Sequence, residues 1–205
     1  MKQKLLFLLM LLMGTSCAEA QQKNNSDDSL LELAQKRRSI RRYTNEKIDR
    51  ATIDNILKVA MFSPSSYGQN PVEFVVIEDK ATLAKLAKCK RIGAPSIAAS
   101  AATVVVMADT SKGELWVEDA SVAASYILLA AEHYGIGACW NQVRLRDGQR
   151  LSTSDEIKEL LNVPSRFEVL CFIALGHKGE QKAPHTEKEL DFGRIHFGNY
   201  SGTKK

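Results

Sequence analysis

Five cations stand within the first seven residues of the segment KRRSIRRY, which runs from Lys36 to Tyr43 and contains Ser39. One interpretation is a solvated basic face or a nucleic-acid patch. The other is an anion site, in which guanidinium groups and a hydroxyl donate several hydrogen bonds to one phosphate. Taken alone, the segment favours the first interpretation, although the chain has no further basic cluster to extend a nucleic-acid surface.

A second polar stretch, FSPSSYGQNPVEF, joins a helix-patterned segment to a strand-patterned one between Phe62 and Phe74. Its two prolines fix the backbone on either side, its serine hydroxyls can donate hydrogen bonds, and Gly68 lets a ligand approach the main chain. A tight helix-to-strand connection would have a similar composition. The stretch by itself therefore fits a plain connection and the wall of a binding site equally well.

Metal and acid–base chemistry find little support elsewhere in the sequence. The histidines never fall at the i, i+4 spacing that places two metal ligands on one helical face: His133, His177, His185 and His196. The cysteines downstream of the N-terminal segment, Cys89, Cys139 and Cys171, include no C-x-x-C pair and predict no disulfide framework. No Ser-His-Asp set or carboxylate pair is evident, so we assign no catalytic side chain and no metal.

Hydrophobic periodicity predicts alternating helices and strands around the two polar stretches. Helical patterns cover 30–39, 49–62, 80–88, 116–134 and 154–161, with Ser154 as the N-cap of the last. Strand patterns cover 72–78, 103–108, 139–143 and 168–175. The alanine-rich helix 116–134 should be central, packed against a sheet or against its twin from a second subunit.

The N-terminal residues predict a targeting segment. Lys2 and Lys4 precede an uncharged apolar run, Leu5 to Met13, that is too short to cross a bilayer as a stable helix. Small residues before Cys17 suggest a lipoprotein-type signal peptide, whereas an Ala-x-Ala sequence suggests cleavage after Ala20. We therefore predict an exported bacterial protein, either periplasmic or attached to a membrane through lipidated Cys17.

The remaining sequence predicts one globular domain. The chain has 205 residues, of which 44% are hydrophobic and 25% charged, and its formal charge of +4 is too mild to indicate a nucleic-acid partner. We divide it into a signal peptide (1–17), a polar tether (18–29), a domain (30–200) and a polar tail (201–205). The end of the domain keeps isolated apolar residues that need a surface to lie on: Leu190, Phe192, Ile195, Phe197 and Tyr200.

Four stretches taken in order resemble the nitroreductase family of FMN-dependent oxidoreductases. They are RRSIR at 37–41, SPSSYGQNPVEFVVIED at 63–79, WVEDASVAASYILLAAEHYGIGACW at 116–140 and DFGRIHFGNY at 191–200. The resemblance covers roughly residues 30–200, and a joint match of four ordered motifs is far more specific than any one of them.

The resemblance implies an α+β fold, a three-layer sandwich with a central and mostly antiparallel sheet. It also implies an intertwined homodimer with exchanged C-terminal arms and two FMN molecules at the subunit interface. An exchanged arm would give the apolar residues near the C-terminus the surface that they need.

By position, the resemblance places Arg37, Arg38 and Ser39 at the phosphate end of FMN. Lys188 is the nearest basic residue of the C-terminal arm that could join them. These donors match the chemistry of a phosphate, because guanidinium groups bind its oxygens through paired, charge-assisted hydrogen bonds.

The resemblance likewise places Arg41 near the pyrimidine edge of the flavin ring and Gln142 as a neighbour of its N5 atom. Reduced flavin is anionic around N1 and O2, so a fixed cation there stabilises it. Pro64, Ser65 and Ser66 are expected to reach the flavin of the other subunit.

The implied activity is a ping-pong reaction, in which NAD(P)H reduces the flavin and a small electron-poor acceptor, such as a nitroaromatic or a quinone, reoxidises it. Two alternatives remain open at this point. One keeps the fold but changes the reaction to reductive dehalogenation or flavin modification. The other is a flavin-binding or interaction module without turnover.

Overall fold

The computed structural model describes residues 28–202. The predicted signal peptide (1–17), most of the predicted tether (18–29) and the last three residues of the tail lie outside the described residues. The predicted division of the chain into these segments therefore stays a prediction.

Six α-helices occur within residues 28–202: α1 (Asp28–Lys36), α2 (Arg50–Met61), α3 (Lys80–Lys88), α4 (Pro95–Ala99), α5 (Trp116–His133) and α6 (Thr153–Leu161). Aspartates cap two of them. Asp49 accepts a hydrogen bond from Thr52 N at 2.8 Å ahead of α2, and Asp79 accepts one from Thr82 N at 2.8 Å ahead of α3. Because the first N–H groups of a helix lack partners within it, these caps define where α2 and α3 begin.

The described part of the chain contains four strands, which form one antiparallel sheet: β1 (Val72–Ile77), β2 (Ala102–Asp109), β3 (Ile136–Gln142) and β4 (Phe167–His177). Their order across the sheet is β1-β2-β4-β3, and each neighbouring pair runs antiparallel. The two central strands, β2 and β4, are the most completely buried, as their almost uninterrupted apolar sequences predict.

Helices cover both faces of the sheet. Along β2, Val104 and Val106 point into a core shared with α2 and α5, whereas Val105 and Met107 point into a second core shared with α3, α4 and α6. This alternation follows from the two-residue repeat of a strand. The predicted α+β, three-layer architecture with its antiparallel sheet is thereby confirmed, whereas the homodimer and its exchanged arms stay predictions.

The start of α6 differs from the sequence-based prediction. Ser152, not Ser154, is the N-cap, and its hydroxyl accepts a hydrogen bond from Asp155 N at 3.1 Å. The hydroxyl of Ser154 instead donates to Glu168 Oε2 at 2.8 Å and accepts from Val169 N at 3.1 Å. Both serines suit a cap locally, and the contact with β4 decides between them.

A bulge interrupts β4 where β3 ends. Val106 of β2 pairs with Cys171 and Met107 pairs with Val169, so Leu170 is the extra residue. The carbonyl of Leu170 accepts hydrogen bonds from Val143 N and Arg144 N, both at 3.0 Å. Because a bulge bends a strand and redirects its neighbours, it fixes the direction in which the chain leaves β3.

Candidate functional site

The cationic segment, residues 36–43, leaves α1 in an extended conformation and lies beside β3. Ser39 forms an isolated parallel bridge with Ala138, and Ile40 N donates to the Ala138 carbonyl at 2.9 Å. Gly137 makes this approach possible, because a Cβ atom there would lie only 2.9 Å from Ile40 Cγ2. The sequence therefore attaches the cationic segment directly to an edge of the sheet.

Side chains of the cationic segment alternate between two faces, as they do along a strand. One face borders a cavity of about 220 Å³ through Lys36, Arg38 and Ile40, and Arg38 donates a hydrogen bond to the carbonyl of Ala183. From this alternation we infer that Arg37, Ser39 and Arg41 lie on the other face. The structure therefore separates Arg38 from the neighbours with which the sequence grouped it.

The face formed by Arg37, Ser39 and Arg41 offers hydrogen-bond donors with little protein to receive them. Within residues 28–202, neither the Arg37 guanidinium nor the Ser39 hydroxyl has a hydrogen-bond partner. The Arg41 guanidinium makes a single long contact of 3.5 Å to the carbonyl of Ser39. Two guanidinium groups and one hydroxyl are thus available to a ligand.

The first residues of the C-terminal arm, 178–185, hold the cationic segment by its backbone. Glu180 Oε1 accepts from Arg41 N at 2.6 Å and from Arg42 N at 3.3 Å, and Lys182 Nζ donates to the Ser39 carbonyl. The hydrogen bond from Arg41 N is the main reason that the pKa of Glu180 lies below its usual value. The arm fixes the main chain of the segment at Ser39, Arg41 and Arg42, and of the segment's side chains it engages that of Arg38.

The serine turn, residues 62–71, is held by its backbone conformation and by side-chain hydrogen bonds rather than by pairing with a strand. Three of its residues adopt positive φ angles, namely Tyr67 (51°), Gly68 (66°) and Asn70 (46°). The Ser65 hydroxyl donates to Asn70 Oδ1 at 3.1 Å and accepts from Asn70 N at 3.0 Å. Ser66 N and Ser66 Oγ both donate to Oδ1 of Asp119, at 2.8 and 2.9 Å.

Asp119 belongs to the first turn of α5 and is only 6% exposed. It anchors the serine turn to the central helix, although the sequence analysis assigned it no role. Its sequence neighbours give no sign of this, because acidic residues are common in the first turn of any helix.

Apolar side chains around the serine turn are unusually exposed. Met61 is 72%, Phe62 84% and Tyr67 92% exposed. A cavity of about 340 Å³ lies beside them and is lined in part by Pro64, Ser65 and Phe74. Large apolar groups gathered at the mouth of a cavity are typical of an interaction surface.

Gln142 is the last residue of β3, and both polar atoms of its side-chain amide are hydrogen-bonded. Its Oε1 accepts from Trp140 Nε1 at 2.8 Å and its Nε2 donates to the Arg144 carbonyl at 3.1 Å. The side chain lines a cavity of about 450 Å³ together with Lys90, another residue to which the sequence analysis assigned no role.

Lys90 is only 9% exposed and has no hydrogen-bond or ion-pair partner for its amine among the described residues. Burial is the main cause that lowers its pKa from the usual lysine value. Burial also raises the pKa of the nearby Cys139 thiol, on which the charges of Arg41 and Lys90 both act in the opposite sense.

The predicted site residues fall into separate groups within one chain. Arg37, Ser39, Arg41 and Gln142 lie along or beside β3, whereas residues 64–66 border cavities that none of those four lines. The sequence analysis expected residues 64–66 to serve the other subunit, and this stays a prediction. Lys188 lies exposed in the 3₁₀ turn Glu187–Glu189, and no hydrogen bond or ion pair joins it to another described residue.

Comparisons with known proteins point to one family. The family model for the nitroreductase family matches residues 34–117 and 93–177. A protein of Archaeoglobus fulgidus, provisionally named NADH dehydrogenase/NAD(P)H nitroreductase, is 35% identical over 174 residues, covering 82% of this chain and 97% of that protein.

Solved structures agree with the sequence matches. An FMN-dependent nitroreductase from Clostridium difficile R20291 shares 38% identity and superposes with a TM-score of 0.80, covering 82% of this chain and 99% of that one. A Desulfovibrio desulfuricans protein provisionally named a nitroreductase was solved in complex with FMN. It shares 25% identity and has a TM-score of 0.64, with 80% of this chain and 95% of that one covered.

The predicted location, exported and either periplasmic or attached to a membrane through Cys17, is wrong by these comparisons. The relatives are named as NADH dehydrogenase/NAD(P)H nitroreductase and as FMN-dependent nitroreductase, and neither name describes an exported or membrane-attached protein. Within residues 28–202, no helix is long and apolar enough to cross a bilayer. Residues 1–17, from which the location was predicted, lie outside the described part of the chain.

The family match covers most of the residues that build the sheet, the cationic segment and the serine turn. The fold, two sequence relatives above 30% identity and the order of the motifs all agree with it. The chain belongs to the nitroreductase family.

Proposed function

We propose that this chain is an FMN-dependent oxidoreductase that takes hydride from NAD(P)H and passes electrons, in a ping-pong reaction, to a small electron-poor acceptor such as a nitroaromatic or a quinone. The observation that carries the proposal is the face of the cationic segment. The Arg37 guanidinium and the Ser39 hydroxyl present donors that the described protein does not use, and the Arg41 guanidinium makes one long hydrogen bond, to the Ser39 carbonyl at 3.5 Å.

The enzyme class and the cofactors predicted from the sequence, FMN and NAD(P)H, are confirmed by the relatives. Their names specify FMN-dependent and NAD(P)H-dependent nitroreductases, and one neighbour was solved with FMN. When bound, FMN supplies the hydride-accepting and electron-donating chemistry of the reaction.

We assign the phosphate of FMN to Arg37 and Ser39. A guanidinium fork and a hydroxyl can donate several hydrogen bonds to one phosphate, and both groups are available on the same face. Arg38, which the sequence grouped with them, is assigned to the opposite face, where it holds the arm through Ala183. Lys188 stays a proposed additional phosphate contact from the arm.

We assign the ring of FMN to the neighbourhood of Arg41 and Gln142. Fixed cations stabilise the negative charge that reduction places on the pyrimidine side of a flavin, and they do so without reorganising. Gln142 is proposed to lie near N5, with its amide orientation set by Trp140 and Arg144. These residues position the ring and tune its charge, and no general acid is assigned.

A homodimer with exchanged C-terminal arms follows from the exposed apolar surfaces. Large apolar residues of the arm are each 55–93% exposed, namely Leu190, Phe192, Ile195, Phe197 and Tyr200. Met61, Phe62 and Tyr67 are exposed around the serine turn. Burying apolar surface stabilises association by about 25 cal/mol per Å², so a second copy of the chain is the proposed cover for both surfaces.

The central test is flavin content and turnover. Protein purified with FMN should be yellow, release one FMN per subunit on denaturation, and oxidise NADH or NADPH when a nitroaromatic or quinone is added. A colourless protein that ignores added FMN would sink the proposal. A yellow protein without turnover would favour a flavin-binding module.

Sedimentation tests the dimer separately. The FMN-loaded protein should sediment as a dimer, and shortening the chain after residue 186 should weaken that dimer. A folded, flavin-loaded monomer would refute the shared interface.

A further inference from the structure

The cavity beside Gln142 carries more positive charge than its protein walls compensate. It occupies about 450 Å³ between the chain after α3 and the chain after β3. Its lining combines three cations with one carboxylate, in the set Lys90, Arg91, Ile92, Gln142, Leu145, Arg146 and Asp147.

Only one of the three cations is paired. Arg91 Nη2 lies 2.8 Å from Asp147 Oδ2, which accounts for the single carboxylate of the cavity. Neither Lys90 nor Arg146 has an ion-pair partner for its side chain within residues 28–202. Two positive charges therefore face the cavity without a counter-charge from the described protein.

These two cations also repel one another. The charge of Arg146 acts with burial to lower the pKa of Lys90, so the two groups are close enough to interact. An unpaired, almost buried cation is costly, and a bound anion removes that cost. The cavity thus favours a ligand with negative charge over a neutral ligand of the same shape.

The backbone around the cavity is fixed, although its cationic side chains are free. Arg91 N donates to the Asp147 carbonyl at 3.0 Å, and the Arg146 carbonyl accepts from Thr153 N at 2.9 Å. The amide of Gln149 donates to the carbonyl of Lys90 at 3.3 Å. Such a preorganised frame lets Arg146 and Lys90 hold an anion without rearranging the loop.

We propose that Arg146, together with Lys90, binds a carboxylate or phosphate group of the substrate that docks beside Gln142, so that this enzyme prefers anionic substrates. The inference rests on the proposed function, because it assigns the cavity to a substrate of the flavin site. The anionic group belongs either to the electron acceptor, as a carboxylate, or to the hydride donor, as the 2′-phosphate that distinguishes NADPH from NADH.

Binding to the oxidised, FMN-loaded protein tests the proposal without turnover. Isothermal titration compares benzoate with benzamide, two ligands of similar size that differ in charge, and compares NADP⁺ with NAD⁺. In the wild type, at least one anionic member should bind more tightly than its counterpart. Arg146→Gln should reduce that preference about tenfold, which corresponds to ~1.4 kcal/mol.

Two further variants control for charge and folding. Arg146→Lys keeps the charge and should retain most of the preference. Arg50→Gln removes a similar charge from an exposed arginine of α2, paired with Asp54, and should leave both affinity ratios as in the wild type. Circular dichroism and FMN content verify that each variant is folded and loaded.

The two sources of the anion give different results. Loss of the benzoate preference assigns the subsite to the acceptor, and loss of the NADP⁺ preference assigns it to the donor. If the wild type shows neither preference, or if Arg146→Gln keeps both, the proposal is overturned. A charge preference in a protein without turnover would contradict the proposed activity but keep the anion subsite, so the two failures are distinguishable.

Discussion

The cationic segment and the serine turn are both polar, yet they differ in which groups remain available to a ligand. In the cationic segment the backbone is engaged by β3 and by the arm, while Arg37 and Ser39 keep unused donors. In the serine turn the hydroxyl protons of Ser65 and Ser66 are already donated within the protein. The first region is suited to bind through side chains, and the second through its shape and main chain.

The two regions also depend on different parts of the molecule. Glu180, which accepts from Arg41 N, lies in the C-terminal arm, whereas Asp119, which accepts from Ser66 N, lies buried in α5. Each region thus donates to an anchoring carboxylate, one from the periphery and one from the core. Changes in the arm should therefore affect the conformation of the cationic segment and leave that of the serine turn unchanged.

The largest effect is expected at the core anchor of the serine turn. Asp119→Ala removes the acceptor for two donors of Ser66 and should lower the free energy of unfolding by about 2–3 kcal/mol. Asp119→Asn keeps an oxygen at the same place and should recover part of the loss. Urea unfolding measures both variants, and equal stability of Asp119→Ala and the wild type would show that the turn does not need this anchor.

A pair of neighbouring arginines tests whether the side chains of the cationic segment are divided between two faces. Arg37→Ala should weaken FMN binding by ~1.5–3 kcal/mol, roughly 10- to 150-fold, because a charge-assisted contact to the phosphate is lost. Arg38→Ala is the matched control and should affect FMN much less. Titration of the apoprotein with FMN, followed by flavin fluorescence, measures both affinities. Similar losses in the two variants would contradict the division.

Arg41 tests whether the segment also reaches the flavin ring. A cation near N1 and O2 interacts more strongly with reduced than with oxidised flavin, so Arg41→Gln should lower the midpoint potential. We expect a shift of roughly 30 mV, equivalent to ~1.4 kcal/mol for a two-electron couple, because Arg41 is exposed and its contacts are screened. A redox titration of variant and wild type, both saturated with FMN, provides the measurement. Equal midpoints would place Arg41 away from the ring.

The smallest effect is expected at Glu180, and it depends on pH. The pKa of Glu180 is lowered in the folded protein, chiefly by the hydrogen bond from Arg41 N. A lowered carboxyl pKa stabilises the folded state above the ordinary glutamate value, and this stabilisation is lost as the pH falls through the folded pKa. The wild type should therefore exceed Glu180→Gln in stability near neutral pH.

Thermal unfolding measured from pH 7 down to pH 3 follows this difference. The two proteins should converge at the acidic end, because protonated Glu180 and glutamine carry the same charge. A difference that does not change with pH would show that the charge of Glu180 contributes nothing to holding the cationic segment.

The elements with strong local signals could be predicted from the sequence. β1, β2, β4 and α5 could be predicted because their sequences are themselves rich in apolar residues or alanine, as buried elements are. α4 was not predicted, because five residues are too few to show a helical period.

The candidate site was only partly predictable. The motif of the cationic segment predicted flavin contacts for Arg37, Arg38, Ser39 and Arg41, which stay predictions, whereas the contact of the segment with β3 depends on the bridge between Ser39 and Ala138, which are far apart in the sequence. Lys90 is one of several lysines in its neighbourhood, and only the tertiary packing buries it. Contacts over such distances leave no periodic trace in a single sequence.

The direct passage from β4 into the arm has a consequence for amide hydrogen exchange. β4 pairs with β2 as far as Leu175 and with β3 from Cys171 to His177, and the arm begins at the next residue. Because exchange from a doubly paired strand requires its ladders to open, protection should be near the global limit where β4 is paired on both sides. It should fall abruptly beyond Gly179, whose N–H still donates to the Arg42 carbonyl at 2.9 Å. Such a step, rather than a gradual decline, would let the arm detach and rebind many times during the lifetime of the sheet. In the proposed homodimer, subunits would then trade arms without unfolding, and the cationic segment would be released and recaptured at the rate of that exchange.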